Sequence, residues 1–281
     1  MARGVLAERL RRDRLFQLGL TLVAIVVTAA VLAPWLAPHD PLRGDLRNAY
    51  LVSPGGRFLL GTDTQGRDVL SRVLYGARIS LSVGLVAQTV SVTLGVLLGL
   101  IAGYYGRWVD AAVMRLADVT LAFPTLLLLI AVAAAVRPSL LVIFVVIGLV
   151  GWAGMARLVR GQVLVLKRSE YVAAARALGA RDRRVLLRHL LPNVRTPVII
   201  AATLGVAGAI MAEAALSFVG LGAQPPTPSW GAMVADGRDF LRVAPWISFT
   251  PGVAIGLAVL GFNLVGDGLR EAYDPQLRQE R

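Results

Sequence analysis

The chain contains no cysteine, so disulfides, zinc–thiolate sites and thiol catalysis are excluded. Histidine is nearly absent. Only His39 and His189 occur, in different polar segments, and a histidine-based metal site is not expected. Lysine is rarer still: Lys167 is the only one, between Leu166 and Arg168. A P-loop requires Gly-x-x-x-x-Gly-Lys-Ser/Thr, with the lysine reaching the phosphates. No such loop can be built around Lys167, so an ATPase site of that form is excluded on this chain. Charge is also scarce, at 16% of residues where a soluble domain carries about a quarter. Asp63 and Asp68 lie in a turn-rich loop without a histidine base beside them, so no hydrolytic dyad is expected.

What is present is apolar sequence. Of the 281 residues, 56% are hydrophobic, and several runs reach the roughly 20 residues that cross a bilayer. Six spans are predicted, over about 15–36, 79–103, 113–136, 139–158, 196–219 and 245–265. The third contains Pro124, and Arg137-Pro138 makes a tight turn after it. The first run follows a basic start and exceeds the roughly 7–15 apolar residues of a signal peptide, so it is expected to remain as a span. A lone apolar segment in lipid must satisfy its own backbone, and the alternation of barrel strands is absent. The expected fold class is therefore all-α integral membrane, a bundle of six transmembrane helices. Polar loops are expected at 37–78 and 220–244.

The net charge of +12 could mark a nucleic-acid or lipid surface, and its distribution decides. Six spans put both termini on one side. The segments on that side hold 20 of the 29 Lys and Arg residues, against 9 opposite. The positive-inside rule then predicts cytoplasmic termini, a bilayer as partner and no nucleic acid. The loop at 37–78 is a partial exception, although four aspartates offset much of its charge. Small residues recur every fourth position in the second span, at Ala87, Ser91, Gly95, Gly99 and Gly103. The fifth repeats the device with Ala201, Gly205 and Ala209. Such ridges admit a second helix closely, within the chain or in another subunit.

The most informative stretch is Ser169–Asn193, basic and rich in helix formers. Ser169 is suited to cap a helix starting at Glu170. Tyr171, Ala174, Ala175 and Leu178 share one face of it. Gly179 is placed to end it, and a second helix over about 181–190 is expected to stop before Pro192. The element suits docking into a partner's groove, or it is a solvated basic loop that fixes topology.

The stretch resembles the cytoplasmic "EAA" loop of ABC importer permeases. Ala173-Ala174-Ala175, Gly179 and Leu191-Pro192 match. Ala173 stands where the pattern has glutamate, and His189 where it has isoleucine. Glu170 lies one turn earlier. The remainder resembles the second, C-type permease of dipeptide, oligopeptide and nickel importers. The matching strings are G-T-D-T-Q-G-R-D at 61–68, Y-G-A-R-I-S-L at 75–81, G-W-A-G-M-A-R-L-V-R-G-Q at 151–162, Q-P-P-T-P-S-W-G-A-M at 224–233 and F-N-L-V-G-D-G-L-R at 262–270. The resemblance implies a type I ABC importer fold and transport of peptides or a nickel chelate by alternating access. It implies an N-terminal unit at 1–78, a transmembrane core at 79–270 with a coupling loop at 161–195, and a tail at 271–281. It also implies a second homologous permease, two nucleotide-binding ATPase subunits that hold the ATP and magnesium, and an external solute-binding protein. No cofactor is expected on this chain. The binding protein is expected to contact the polar loops, including Gly61, Thr62, Asp63, Gly66, Arg67 and Asp68. Arg67 and Asp68 are also candidates to organise that loop between themselves.

Glu213 lies within the fifth predicted span and Asn263 within the sixth. Such groups face a bundle interior or a water-filled path. Glu213 is read either as a path-lining residue or as a structural acid paired with a polar neighbour. An ion-gradient-driven secondary transporter coupled through Glu213 is the alternative function. A channel or scaffold component without a transport cycle is a further rival. Asp118 is expected to pair with Arg115 or to cap a helix.

Overall fold

The computed structural model describes residues 8–136 and 139–273. The turn expected at Arg137-Pro138, the first seven residues and the end of the tail lie outside the described residues. All named elements are helical. They run in the order α1 (Arg14–Val31), α2 (Ala33–Leu36), α3 (Val69–Tyr105), α4 (Arg107–Ala122), α5 (Thr125–Ala134), α6 (Leu140–Leu166) and α7 (Glu170–Ala177). There follow α8 (Asp182–Arg184), a π-helical turn (Val185–Leu190), α9 (Leu191–Phe218), α10 (Trp230–Gly237) and α11 (Trp246–Tyr273). Five helices are long and apolar enough to cross a membrane, and the bent pair α4–α5 makes a sixth if taken as one span.

The boundaries differ from the expected ones for identifiable reasons. The first span is interrupted at Leu32, because Pro34 opens a new turn. Helix α3 starts at Val69, ten residues before the apolar run, because the Asp68 carboxylate accepts the Ser71 backbone N–H as an N-cap. Its 37 residues reach about 55 Å at 1.5 Å each, well beyond the hydrocarbon thickness. The third span is not continuous. Pro124 forces Phe123 into extended backbone at ψ 141, and α4 and α5 meet at 91°. The helix expected to stop before Pro192 does not stop. Pro192 lacks the N–H an α-helix would use, and the chain passes it through the π-turn, where Leu191 N–H bonds Leu186 O.

The ridge on α3 packs within the chain. A Cβ on Gly95 would lie 2.5 Å from Met155 Cβ, one on Gly99 2.6 Å from Ala156 O, and one on Gly103 2.8 Å from Val163 Cβ. All three neighbours belong to α6. The approach is reciprocal, since a Cβ on Gly148 would meet Val90 Cβ at 2.6 Å. Helix α1 lies against α11 by the same device, with Gly19 under Leu264 and Gly268 under Phe16. Large apolar side chains such as Leu15, Ile25, Leu97 and Leu141 are exposed on outer faces, as lipid or a partner chain requires.

Candidate functional site: an elbow, a cavity and a buried charge network

Helix α7 and the π-turn form the elbow. Ser169 stands at the N-cap position, but its side chain does not cap: Ser169 Oγ donates to Leu166 O at 2.6 Å. Gly179 ends the helix at φ +81, with Ala180 N–H on Ala175 O and Gly179 N–H on Arg176 O, a left-handed termination that suits glycine. The inner face of α7 is Val172, fully buried with Val185, Leu190 and Val194. Tyr171, Ala174 and Leu178 lie on the opposite face, and Leu178 is 89% exposed. Glu170 and Ala173 are exposed as well, Ala175 and Leu191 are half-buried, and Pro192 is exposed.

Polar contacts fasten the elbow to the spans. Tyr104 Oη, at the end of α3, donates to Asp182 Oδ1 at 2.6 Å. The Arg176 guanidinium sits 5.2 Å from the Tyr104 ring centroid. Lys167 Nζ donates to Gly103 O at 2.7 Å. His189 faces Tyr171 with ring centroids 6.4 Å apart. Nearby, Asp118 pairs with Arg157 of α6 rather than with Arg115, and Asp110 pairs with Arg160. Sequence spacing could not show these cross-helix pairs.

Between α3, α5, α6 and α9 lies a half-open cavity of about 380 Å³. Small residues of three helices open it: Ala87 and Ser91 of α3, Gly151 and Gly154 of α6, and Ala201, Gly205 and Ala209 of α9. Gln88 is its one carboxamide. Neither Glu213 nor Asn263 lines it. Glu213 is fully buried and accepts from Ser80 Oγ at 2.9 Å and Ser217 Oγ at 2.6 Å. Ser80 Oγ in turn accepts the Trp230 backbone N–H at 3.3 Å. Glu213 thus ties α3 and α9 to the start of α10, and with 0% exposure it offers no accessible coupling acid. Asn263 is half-buried on α11 and is not brought to Glu213 by any hydrogen bond among the described residues.

At the end of the molecule away from the elbow, the 61–68 turn is a core and not a surface. Asp63, Arg67 and Asp68 are 3%, 5% and 2% exposed, and Thr62 is buried. Arg67 Nε donates to Asp63 Oδ2 at 2.6 Å, Arg72 Nε approaches the same oxygen at 3.4 Å, and both guanidinia lie about 4 Å from Asp236 of α10. Burial raises the Asp236 carboxyl above its ordinary value, against the pull of Arg72 and Arg67. Arg67 therefore pairs with Asp63 and not with Asp68, which caps α3. Gly61 and Gly66 turn at φ +75 and +71, against Trp246 and Asp45 respectively. Trp246 Nε1 donates to Thr62 O at 3.1 Å. The turn locks the loop to α3, α10 and α11. What the loop exposes is instead Leu46, Tyr50 and Leu59.

Apolar spans beside a half-open cavity, with a braced elbow at one end and a locked loop at the other, fit a membrane transport subunit. Residues 95–279 match the family described as binding-protein-dependent transport system inner membrane component, and residues 5–54 match the N-terminal TM domain of oligopeptide transport permease C. The chain belongs to the family of binding-protein-dependent transport system inner membrane components. It is 44% identical over 271 residues to a dipeptide transport system permease protein DppC of Alkalihalophilus pseudofirmus, covering 96% of this chain and 89% of that one. It is 40% identical to an oligopeptide transport system permease protein OppC of Bacillus subtilis, covering 96% and 88%. A solved structure of the MetNI methionine ABC transporter in an inward facing conformation shares its fold, with a TM-score of 0.56 at 19% identity over 72% of this chain and 96% of that one. The protein is a multi-pass inner membrane permease subunit of an ABC importer, not an enzyme.

Proposed function

We propose that the chain forms half of the path of a short-peptide importer and takes its mechanical drive from ATPase subunits through the elbow at 161–195. The observation that carries this reading is the two-sided build of α7. Val172 anchors it to the buried cluster that includes Tyr104, while Ala174 and Leu178 face outward, and Tyr171 is exposed beside His189. An exposed leucine on a braced helix suits insertion into a groove on a partner. Two ATPases would bind ATP and magnesium, and their closure would push α7 of each permease. Val172 and the Tyr104–Asp182 bond would pass that displacement to α3 and α9, which line the cavity.

The peptide cargo is supported by the names of the relatives, and a nickel chelate has no such support. The charge distribution supports cytoplasmic termini, with the 37–68 loop facing an external binding protein. Leu46, Tyr50 and Leu59 are the contact residues the geometry favours there. The two separately matched stretches, 5–54 and 95–279, support an N-terminal unit over 1–78 and a core that begins at 79, while the second runs on through most of the proposed tail at 271–281. A non-identical permease completes the path.

Disulfide crosslinking tests the coupling. Cysteines replacing Ala174 or Leu178 in the assembled transporter should crosslink to cysteines on the ATPase surface, and the yield should change with nucleotide. Absence of crosslinks from both positions, across several ATPase sites, sinks the reading.

A further inference from the structure

The break between α4 and α5 leaves a helix start within the apolar part of the chain. Helix α5 begins at Thr125, after the 91° turn at Pro124. Pro124 stands at its N-cap position and supplies no side-chain cap. Among the described residues, the backbone N–H groups of Thr125, Leu126 and Leu127 meet no acceptor, and the first bond of the turn is Leu128 N–H on Pro124 O at 3.0 Å. Thr125 lines the cavity of about 380 Å³, so that cavity borders the positive end of α5. It lies at the middle level of the bundle, because its wall takes Gln88 from midway along α3 and Gly205 from midway along α9.

Three side chains on the same wall are also unpaired. Gln88, Ser91 and Thr125 make no hydrogen bond to any described residue, whereas Ser82, Thr89 and Thr93 elsewhere on α3 spend their protons on their own helix. Ser91 is only 4% exposed, and a Cβ on the cavity-lining Gly151 would lie 2.8 Å from its Oγ. A Cβ on Gly205 would meet Gln88 Cδ, Nε2 and Oε1 each at 2.4 Å. The glycine therefore touches the face of the carboxamide and leaves its N–H and C=O edges free. Gly154 and Gly208 of the same wall have nothing within 4 Å of a Cβ. Hydrocarbon supplies no partner for an amide, two hydroxyls and three N–H groups, so this wall suits a polar occupant.

We infer that the cavity holds a short peptide in transit, with its α-carboxylate on the free N–H groups of α5 and a peptide amide against the Gln88 carboxamide. A helix N-terminus is an anion site, and broken membrane helices present such ends to anionic substrate groups. Gln88 carries both donors and an acceptor, the complement of a peptide C=O and N–H. Ser91 Oγ and Thr125 Oγ1 are free to accept from the α-ammonium. Among the described residues the lining carries no charged side chain, which fits a cargo whose side chains vary and whose backbone does not. The assignment rests on the peptide-import reading.

The test uses the assembled transporter in phosphatidylcholine proteoliposomes, with dialanine-loaded binding protein. Gln88→Met keeps the bulk over Gly205 and removes the hydrogen-bonding groups. It should lower ATP-dependent dialanine uptake about three- to tenfold, with melting temperature and ATPase stimulation by the loaded binding protein unchanged. Thr125→Asp sets a carboxylate on the first turn of α5, where the helix favours it and a second carboxylate is repelled. It should lower uptake at least threefold more than Thr125→Asn, which differs from it in charge alone, without lowering the melting temperature. Wild-type uptake by either Gln88→Met or Thr125→Asp overturns the assignment. Equal losses in Thr125→Asp and Thr125→Asn also overturn it, because shape and not charge would then matter. So does a lower yield of the assembled permease pair in Gln88→Met and Thr125→Asp, which would make the cavity a seat for a helix of the second permease. Absence of ATP-dependent dialanine uptake in the wild type is a separate outcome, and it would sink the import reading together with the cavity's place in it.

Discussion

Glu213 shows how a residue can look functional by type and be structural by environment. A carboxyl within an apolar span is costly, and its position alone allows a path-lining role or an internal bond. The surrounding hydroxyls decide. Ser80 and Ser217 both donate to it, and Ser80 also receives Trp230. Glu213→Gln keeps an acceptor oxygen and the volume, so it should leave uptake and melting temperature close to wild type. Glu213→Ala strands buried hydroxyls and should lower the stability of the detergent-purified complex by about 1–3 kcal/mol, read as a lower melting temperature. Abolished uptake in Glu213→Gln with normal melting would restore a transport role for the acid. The partners Ser80 and Trp230 are distant in sequence, so no spacing rule could have found them. The same holds for Asp118, whose partner Arg157 comes from another helix rather than from the next turn.

At the scale of elements, the packing of α3 on α6 depends on the absence of side chains. Gly99 leaves 2.6 Å between a hypothetical Cβ and Ala156 O, and 2.8 Å to Val159 Cβ. Gly99→Leu must separate the two helices and should cost about 1–3 kcal/mol or more as overpacking, with reduced membrane abundance of the assembled complex. Gly154 has open space at its Cβ position, so Gly154→Ala should be tolerated and serves as the control. The small-residue ridge was legible in the sequence, but its partner was not, because the period of four only states that some helix approaches. Proline gives the sharper contrast. Pro124 breaks its span by 91°, whereas Pro192, Pro197 and Pro251 lie within helical rods. Pro192 is carried by the π-turn, and Asn193 Nδ2 donates to His189 O at 2.6 Å beside it. At Pro124 the preceding Phe123 is extended and the chain changes direction. The local backbone repair, rather than the proline itself, separates a kink from a continuous helix.

At the scale of the whole molecule, the two ends are built for different loads. The elbow is braced but exposes its outer face, and the loop at the other end buries its charges. A carrier driven by an ion gradient needs an ionisable group that alternately meets water on the two sides. The carboxyl inside the spans that was suited to that task has no exposed surface, and the cavity is lined by small and apolar side chains with Gln88. A chain without a P-loop lysine cannot supply ATP-derived work either, and the elbow is the route proposed for work done by a partner. Uptake by the assembled transporter in proteoliposomes should therefore continue when ionophores collapse proton and sodium gradients, and stop when internal ATP is withdrawn. Leu178→Asp places a charge on the outward face of α7 without touching the buried Val172 side. It should leave the spans folded, as judged by melting of the permease pair, yet lower ATP-dependent uptake at least tenfold. If uptake in that variant stayed at the wild-type level, or if ionophores stopped uptake while ATP remained high, force transmission through the elbow would be excluded.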